Sequence, residues 1–237
     1  MFSLWKELFL RLKLEDEERL VQLVQMCAAG LAQTLADSGH QYAMAQAESY
    51  LNACAQLQEE FTGISHITQM KTLAEAPSLT FLLPQLRALA DALLKKDSIR
   101  CSLNASSTGL SAAENSLGGL LSSIPGARAT RCPDYVTDPD FYAKERKIHM
   151  VFPFSVNFCA KSFNGVPYIH PDYSSLQIAS QLLSFKYLLR EVREKGGAYG
   201  VGVAVRPGGC LSFYSYSVPQ PDVKSLQTPG AFPELCL

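Results

Sequence analysis

The segment Arg193-Glu194-Lys195-Gly196-Gly197-Ala198-Tyr199-Gly200 most constrains what this chain can build, because a long apolar helix pattern stops there, turns on two glycines and restarts as an alternating strand. The helix pattern carries Leu176, Ala179, Leu182, Leu183 and Leu189 after a start signal at Pro171-Asp172. Gly196 stands where a left-handed residue ends a helix. Beyond the turn, Val201, Val203 and Val205 point one way and Gly200, Gly202 and Ala204 the other. Gly208-Gly209 then turns the chain into Leu211, Phe213 and Ser215. Such a junction can bring Arg193 and Tyr199 together. An arginine at a helix C-terminus also complements the helix dipole with no further role.

The rest of the chain has two characters. Up to about residue 97 it reads as helical: Leu20, Leu23, Val24, Cys27, Leu31 and Leu35 recur at helical spacing and Gly39 provides a stop. A second helix is expected from about Gln41 to Phe61, with Tyr50, Cys54, Leu57 and Phe61 as a core stripe, and a shorter one from Ile64 to Ala74. Pro84 reads as a first-turn residue of a helix carrying Leu86, Leu89, Ala90 and Leu93, which Lys95-Lys96-Asp97 ends. These helices are expected to pack as a hairpin bundle. From Ser98 the pattern changes. Ile99, Cys101 and Leu103 alternate as a strand, and Ser111-Ala112-Ala113-Glu114 is a capping-box signal opening a helix with Leu117, Leu120, Leu121 and Ile124. A polar connection with Pro133 and Pro139 follows, then two expected strands, one with Ile148, Met150 and Phe152 and one with Val156, Phe158 and Ala160. The order strand-helix-strand-strand-helix-strand-strand is α+β.

Composition narrows the function classes. The chain has 237 residues, 47% hydrophobic and 18% charged, which suffices for a sizeable core. A net charge of −1 with interspersed signs argues against nucleic acid and against a polybasic membrane patch. No run approaches the length of a membrane-spanning helix. Seven scattered cysteines without Cys-x-x-Cys spacing fit reduced thiols better than a disulfide framework. His40, His66, His149 and His170 include no pair within five residues, so no metal site is expected. The glycine-rich stretch Gly196 to Gly202 follows a helix and precedes a strand, the reverse of a phosphate-cradling loop. The acidic run Glu15 to Glu18 reads as a helix first turn rather than a ligand cluster. Asp134, Asp138 and Asp140 lack the glycine and terminal glutamate of a calcium loop and read as solvated.

The Arg193-to-Gly200 segment, with its double glycine and six-residue step from arginine to tyrosine, resembles the pitrilysin or insulin-degrading family of zinc metallopeptidases. The strand Leu211-Ser212-Phe213-Tyr214-Ser215-Tyr216 strengthens the likeness, which covers roughly residues 1 to 217. It implies the C-terminal part of a zinc endopeptidase that degrades unstructured peptides such as cleaved targeting sequences. Residues 1–97 would be the helical part of a third pitrilysin-like domain, 98–217 a partial fourth α+β domain with a sheet covered by helices, and 218–237 a divergent, disordered tail. In this family an arginine and a tyrosine of the C-terminal half reach across a closed chamber to substrate on the zinc site of the N-terminal half. The matching positions are Arg193 and Tyr199, as substrate-binding residues. Zinc peptidases need donors for the oxyanion formed when water attacks the peptide carbonyl, and a phenol and a guanidinium both donate.

The chain departs from the family in having no His-x-x-Glu-His string. Two readings follow. The chain is one half of a peptidase, holding peptide while a zinc-bearing N-terminal half supplies metal and base. Alternatively it is a noncatalytic peptide-binding or interaction module, a truncated isoform without activity of its own. Family likeness implies the mitochondrial matrix, whereas the acidic N-terminal stretch shows no leader and implies cytoplasm for the chain as written.

Overall fold

The computed structural model describes residues 2–126, 143 and 146–218. The Asp134, Asp138 and Asp140 loop, Cys132, Cys236 and the tail beyond 218 lie outside them. The fold is α+β, as the pattern implied: helices plus a three-stranded antiparallel sheet. Contacts divide it into two units, Met1–Gln25 with Leu73–Val136, and Met26–Thr72 with Thr137–Leu237.

The first unit is helical. Helix α1 (Phe2–Leu10) packs on α6 (Leu110–Ser123), and α5 (Leu82–Leu93) carries Pro84 in its first turn, where a missing N–H costs nothing. The acidic run opens α2 (Glu17–Glu48). The Asp16 carboxylate accepts from Arg19 N–H at 2.9 Å, and Glu15 pairs with Arg87. Glu17 accepts from the Ser78 hydroxyl at 2.6 Å and Leu79 N–H at 2.9 Å, and the Ser78 bond leads in holding its carboxyl below the usual range. Two expectations fail here. Ile99 to Leu103 forms no strand, because no described segment pairs with it and alternation alone satisfies no backbone group. The capping box does not form either: α6 starts at Leu110, one residue before Ser111, and Ser106 Oγ instead accepts from Gly109 N–H at 3.2 Å.

The second unit carries the sheet. Strands β1 (Asn157–Asn164), β2 (Gly200–Val205) and β3 (Cys210–Val218) lie in the order β1-β3-β2. Gly200 and Gly202 sit opposite Tyr216 and Tyr214, and Phe158 and Ala160 oppose the same tyrosines from β1. Directly opposed residues share a face, so one face presents Phe158, Ala160, Tyr214 and Tyr216. Ala43 and Met44 of α2, each 1% exposed, pack into that face. Gly39 does not stop the helix. The chain kinks at Ser38 (φ −130°, ψ 31°) and continues, and a Cβ on Gly39 would lie 2.4 Å from the Phe158 ring. Close approach, not termination, explains this glycine.

The expected second helix is two elements. Asn52 caps α3 (Ala53–Thr62) by accepting from Ala55 N–H at 2.8 Å, and α4 (Ile64–Ala74) has the expected bounds. The proposed core stripe is not core: Cys54 is exposed, as are Leu57 at 51% and Phe61 at 66%. Ile148, Met150 and Phe152 alternate in exposure with His149 and Val151, yet they form no strand; Met150 and Phe152 line a slot with Phe154 and Phe158. There the period-two pattern reports burial without pairing.

Candidate functional site: the Arg193–Tyr199 turn

Helix α7 (Tyr173–Leu183) passes directly into a π-helix, Ser184–Glu194. The inward positions include Tyr173, Ser180 and Leu188, while Leu182 is 56% exposed. The leucine stripe read from sequence is therefore not the buried face. Two serines stand on that face because they satisfy their own hydroxyls: Ser180 donates to Gln177 O at 2.7 Å, and Ser184 to Ser180 O at 2.8 Å. Ser184 Oγ also accepts from Val203 N–H at 3.0 Å, tying the start of the π-helix to β2.

The π-register carries into the turn. Lys195 N–H reaches Arg190 O at 3.1 Å, Gly197 N–H reaches Arg193 O at 3.0 Å, and Ala198 N–H reaches Val192 O at 3.2 Å. The last two nest one inside the other, as in the common glycine helix stop but one residue wider. The left-handed residue is Gly197, at φ 76°, rather than Gly196. Gly196 is required for another reason: a Cβ there would lie 2.6 Å from Val192 O. Ala198, 3% exposed, anchors the turn in the core.

This turn brings Arg193 and Tyr199 together, with the guanidinium 5.5 Å from the centre of the Tyr199 ring. That is cation–π distance. Arg193 is exposed and Tyr199 is 66% exposed. Among the described residues Arg193 pairs with no carboxylate. Glu191 is engaged elsewhere, accepting from Lys195 Nζ at 2.8 Å and Arg190 Nε at 2.8 Å, and the Lys195 bond leads in holding its carboxyl below the usual range. Two donors therefore face solvent from one turn, a phenol and a planar guanidinium.

Behind Tyr199 lies an aromatic stack that sequence reading missed. The Tyr216 ring centre is 6.0 Å from that of Tyr199, His40 stacks on Tyr216 at 4.6 Å, and Tyr214 lies 5.3 Å from His40. Burial pushes the His40 imidazole below its ordinary range. The signal was present as Gly200 and Gly202: a Cβ at the first would lie 2.1 Å from the Tyr216 ring, and one at the second 2.7 Å from the Tyr214 hydroxyl. A polar cluster sits nearby on the same sheet face. Glu48 accepts from Ser212 Oγ at 2.5 Å and Arg206 Nε at 3.4 Å, and Asn52 donates to Cys210 Sγ at 3.1 Å. Desolvation first, then the Glu48 charge, pushes the Cys210 thiol up.

Among the described residues no three His, Cys, Asp or Glu side chains are grouped to hold a metal ion. Zinc has no fitting ligand set there. Nor is any described helix long and apolar enough to cross a membrane.

The turn, the donors and the helix-covered sheet fit the resemblance read from sequence, and comparison bears it out: the chain is a relative of the pitrilysin-type peptidases, in their subfamily C. Residues 1–73 match a family described as associated with the peptidases of that subfamily. The particular relatives are named presequence protease, mitochondrial: that of Danio rerio is 35% identical over 252 residues, covering 98% of this chain and 24% of its own length. The Mus musculus protein is 34% identical (97% and 25%), and that of Saccharomyces cerevisiae 29% identical (96% and 24%). The chain thus spans about a quarter of the length of the relatives it matches. The similarity extends past Ser217, where the likeness read from sequence stops.

Proposed function

We propose that this chain is the peptide-gripping part of a mitochondrial pitrilysin-type endopeptidase, in which Arg193 and Tyr199 bind the backbone of an unstructured peptide such as a cleaved presequence. The observation that carries this reading is the convergence of two exposed donors, the guanidinium 5.5 Å from the phenol ring centre, on a turn fixed by Gly196 and Gly197. A phenol O–H donates one hydrogen bond to a peptide carbonyl, and a guanidinium donates two. Both are acceptor-seeking groups, suited to any extended peptide irrespective of side chains. In the reaction, Tyr199 holds its proton toward the carbonyl oxygen as charge develops there. Arg193 adds positive charge at the same oxygen and keeps the phenol oriented.

Zinc and the general base come from a separate zinc-bearing half, and the isolated chain holds peptide without cleaving it. The names of the relatives support the substrate class and the compartment. The test is Tyr199→Phe in a full-length enzyme carrying this segment. The phenylalanine keeps the ring over Arg193 and removes only the donor. Turnover of a fluorogenic peptide should fall about 100- to 1000-fold, as for other oxyanion donors, with KM little changed. Unchanged kinetics would make Tyr199 a packing residue.

A further inference from the structure

Tyr216 has no part in the gripping pair, yet it is built into the strand register behind it. Its ring lies across the backbone of Gly200, the residue after Tyr199, so closely that a Cβ there would meet it at 2.1 Å. One side of the ring is backed by His40, at 4.6 Å and 27°, and Tyr199 leans against it at 6.0 Å and 58°. Tyr214 repeats the arrangement over Gly202 and lies 11° from parallel with Tyr216. Tyr216 is therefore held by a strand, a helix and a neighbouring ring, whereas Tyr199 is held only by Tyr216 and the Arg193 guanidinium among its described ring contacts.

We infer that Tyr216 is a positioning residue: backed by His40 and seated over Gly200, it is the wall that fixes the direction of the Tyr199 phenol. This rests on Tyr199 gripping peptide. An exposed tyrosine with two free torsions would otherwise sample several rotamers. Fixing one places the donor before substrate arrives, and misplacement by about 1 Å can cost 100-fold in rate. The ring of Tyr216 matters here and its hydroxyl does not.

The experiment places 3-fluorotyrosine at position 199 of the whole chain and records fluorine NMR for the parent, Tyr216→Leu, Tyr216→Phe and Gly200→Ala, alongside peptide turnover by the full-length enzyme with the same changes. Tyr216→Leu should move the resonance toward that of free fluorotyrosine and lower kcat about 10- to 100-fold with KM changed less. Tyr216→Phe should restore both. Gly200→Ala displaces the ring by another route and should resemble Tyr216→Leu, which keeps the test open if the leucine variant does not fold. A resonance unmoved in Tyr216→Leu or, should that variant not fold, in Gly200→Ala overturns the inference. If the resonance moves but Tyr199→Phe leaves turnover unchanged, the gripping role fails and the wall stands.

Discussion

Gly196 and Gly197 are neighbours with different duties. At Gly197 the backbone is left-handed, so Gly197→Ala should cost about 1–2 kcal/mol. At Gly196 the constraint is the 2.6 Å approach to Val192 O, so Gly196→Ala should also destabilise, by forcing the π-turn to open. Gly208, with nothing within 4 Å of a built Cβ, should tolerate alanine. Urea midpoints of the three variants check the order. His40 gives a pH dependence. Its folded pKa is depressed by burial, so the unfolded chain takes the proton first as pH falls. The stability His40 contributes is full above the ordinary value near 6.5 and is lost as pH drops from there through the folded pKa. His40→Phe keeps the stack and should flatten the change in midpoint between about pH 7.5 and 5.5; an unaltered slope would assign it to other groups. Among thiols, buried Cys210, with its raised pKa, should alkylate far more slowly than exposed Cys27, Cys54 and Cys101, as mass spectrometry can resolve.

At the scale of elements, the π-helix is the feature with least trace in the sequence. Residues 173–194 read as one α-helix, and the register change at Ser184 has no composition of its own. Its visible effect is that Leu188 becomes the buried residue in place of Leu189, and that Ser180 and Ser184 occupy inward sites a hydrophobic stripe would claim. Ser184→Ala should leave Val203 N–H without its acceptor and cost about 1–3 kcal/mol, read as a lowered midpoint with far-ultraviolet circular dichroism unchanged at low urea. The helices with local signals were legible, such as α4 with its matching bounds and α7 after Pro171-Asp172. The strand expected at 148–152 does not form, because alternation registers one buried side and strand formation needs a partner edge. Likewise Gly39 reads as a stop only until Phe158, distant in sequence, is seen against it. The Arg193–Tyr199 convergence was legible from spacing alone, but the wall behind it required the β2–β3 register.

For the whole molecule, the family signal and the pattern signal lie at opposite ends. The peptidase-associated match occupies residues 1–73, where the helices looked generic, whereas the turn that prompted the family reading lies near residue 200. Stripe-based reading could not weigh the first segment, because exposed Leu57 and Phe61 violate the rule that apolar periodicity marks a core. A chain spanning a quarter of its relatives makes complementation the central question. The measurement is cleavage of a fluorogenic unstructured peptide by the separately purified zinc-bearing half, with this chain or its Tyr199→Phe form added. Activity that appears only on mixing, and drops about 100-fold or more with Tyr199→Phe, is the predicted result. Cleavage by either part alone at the rate of the mixture, or equal rates with both forms, would contradict a gripping role for this chain.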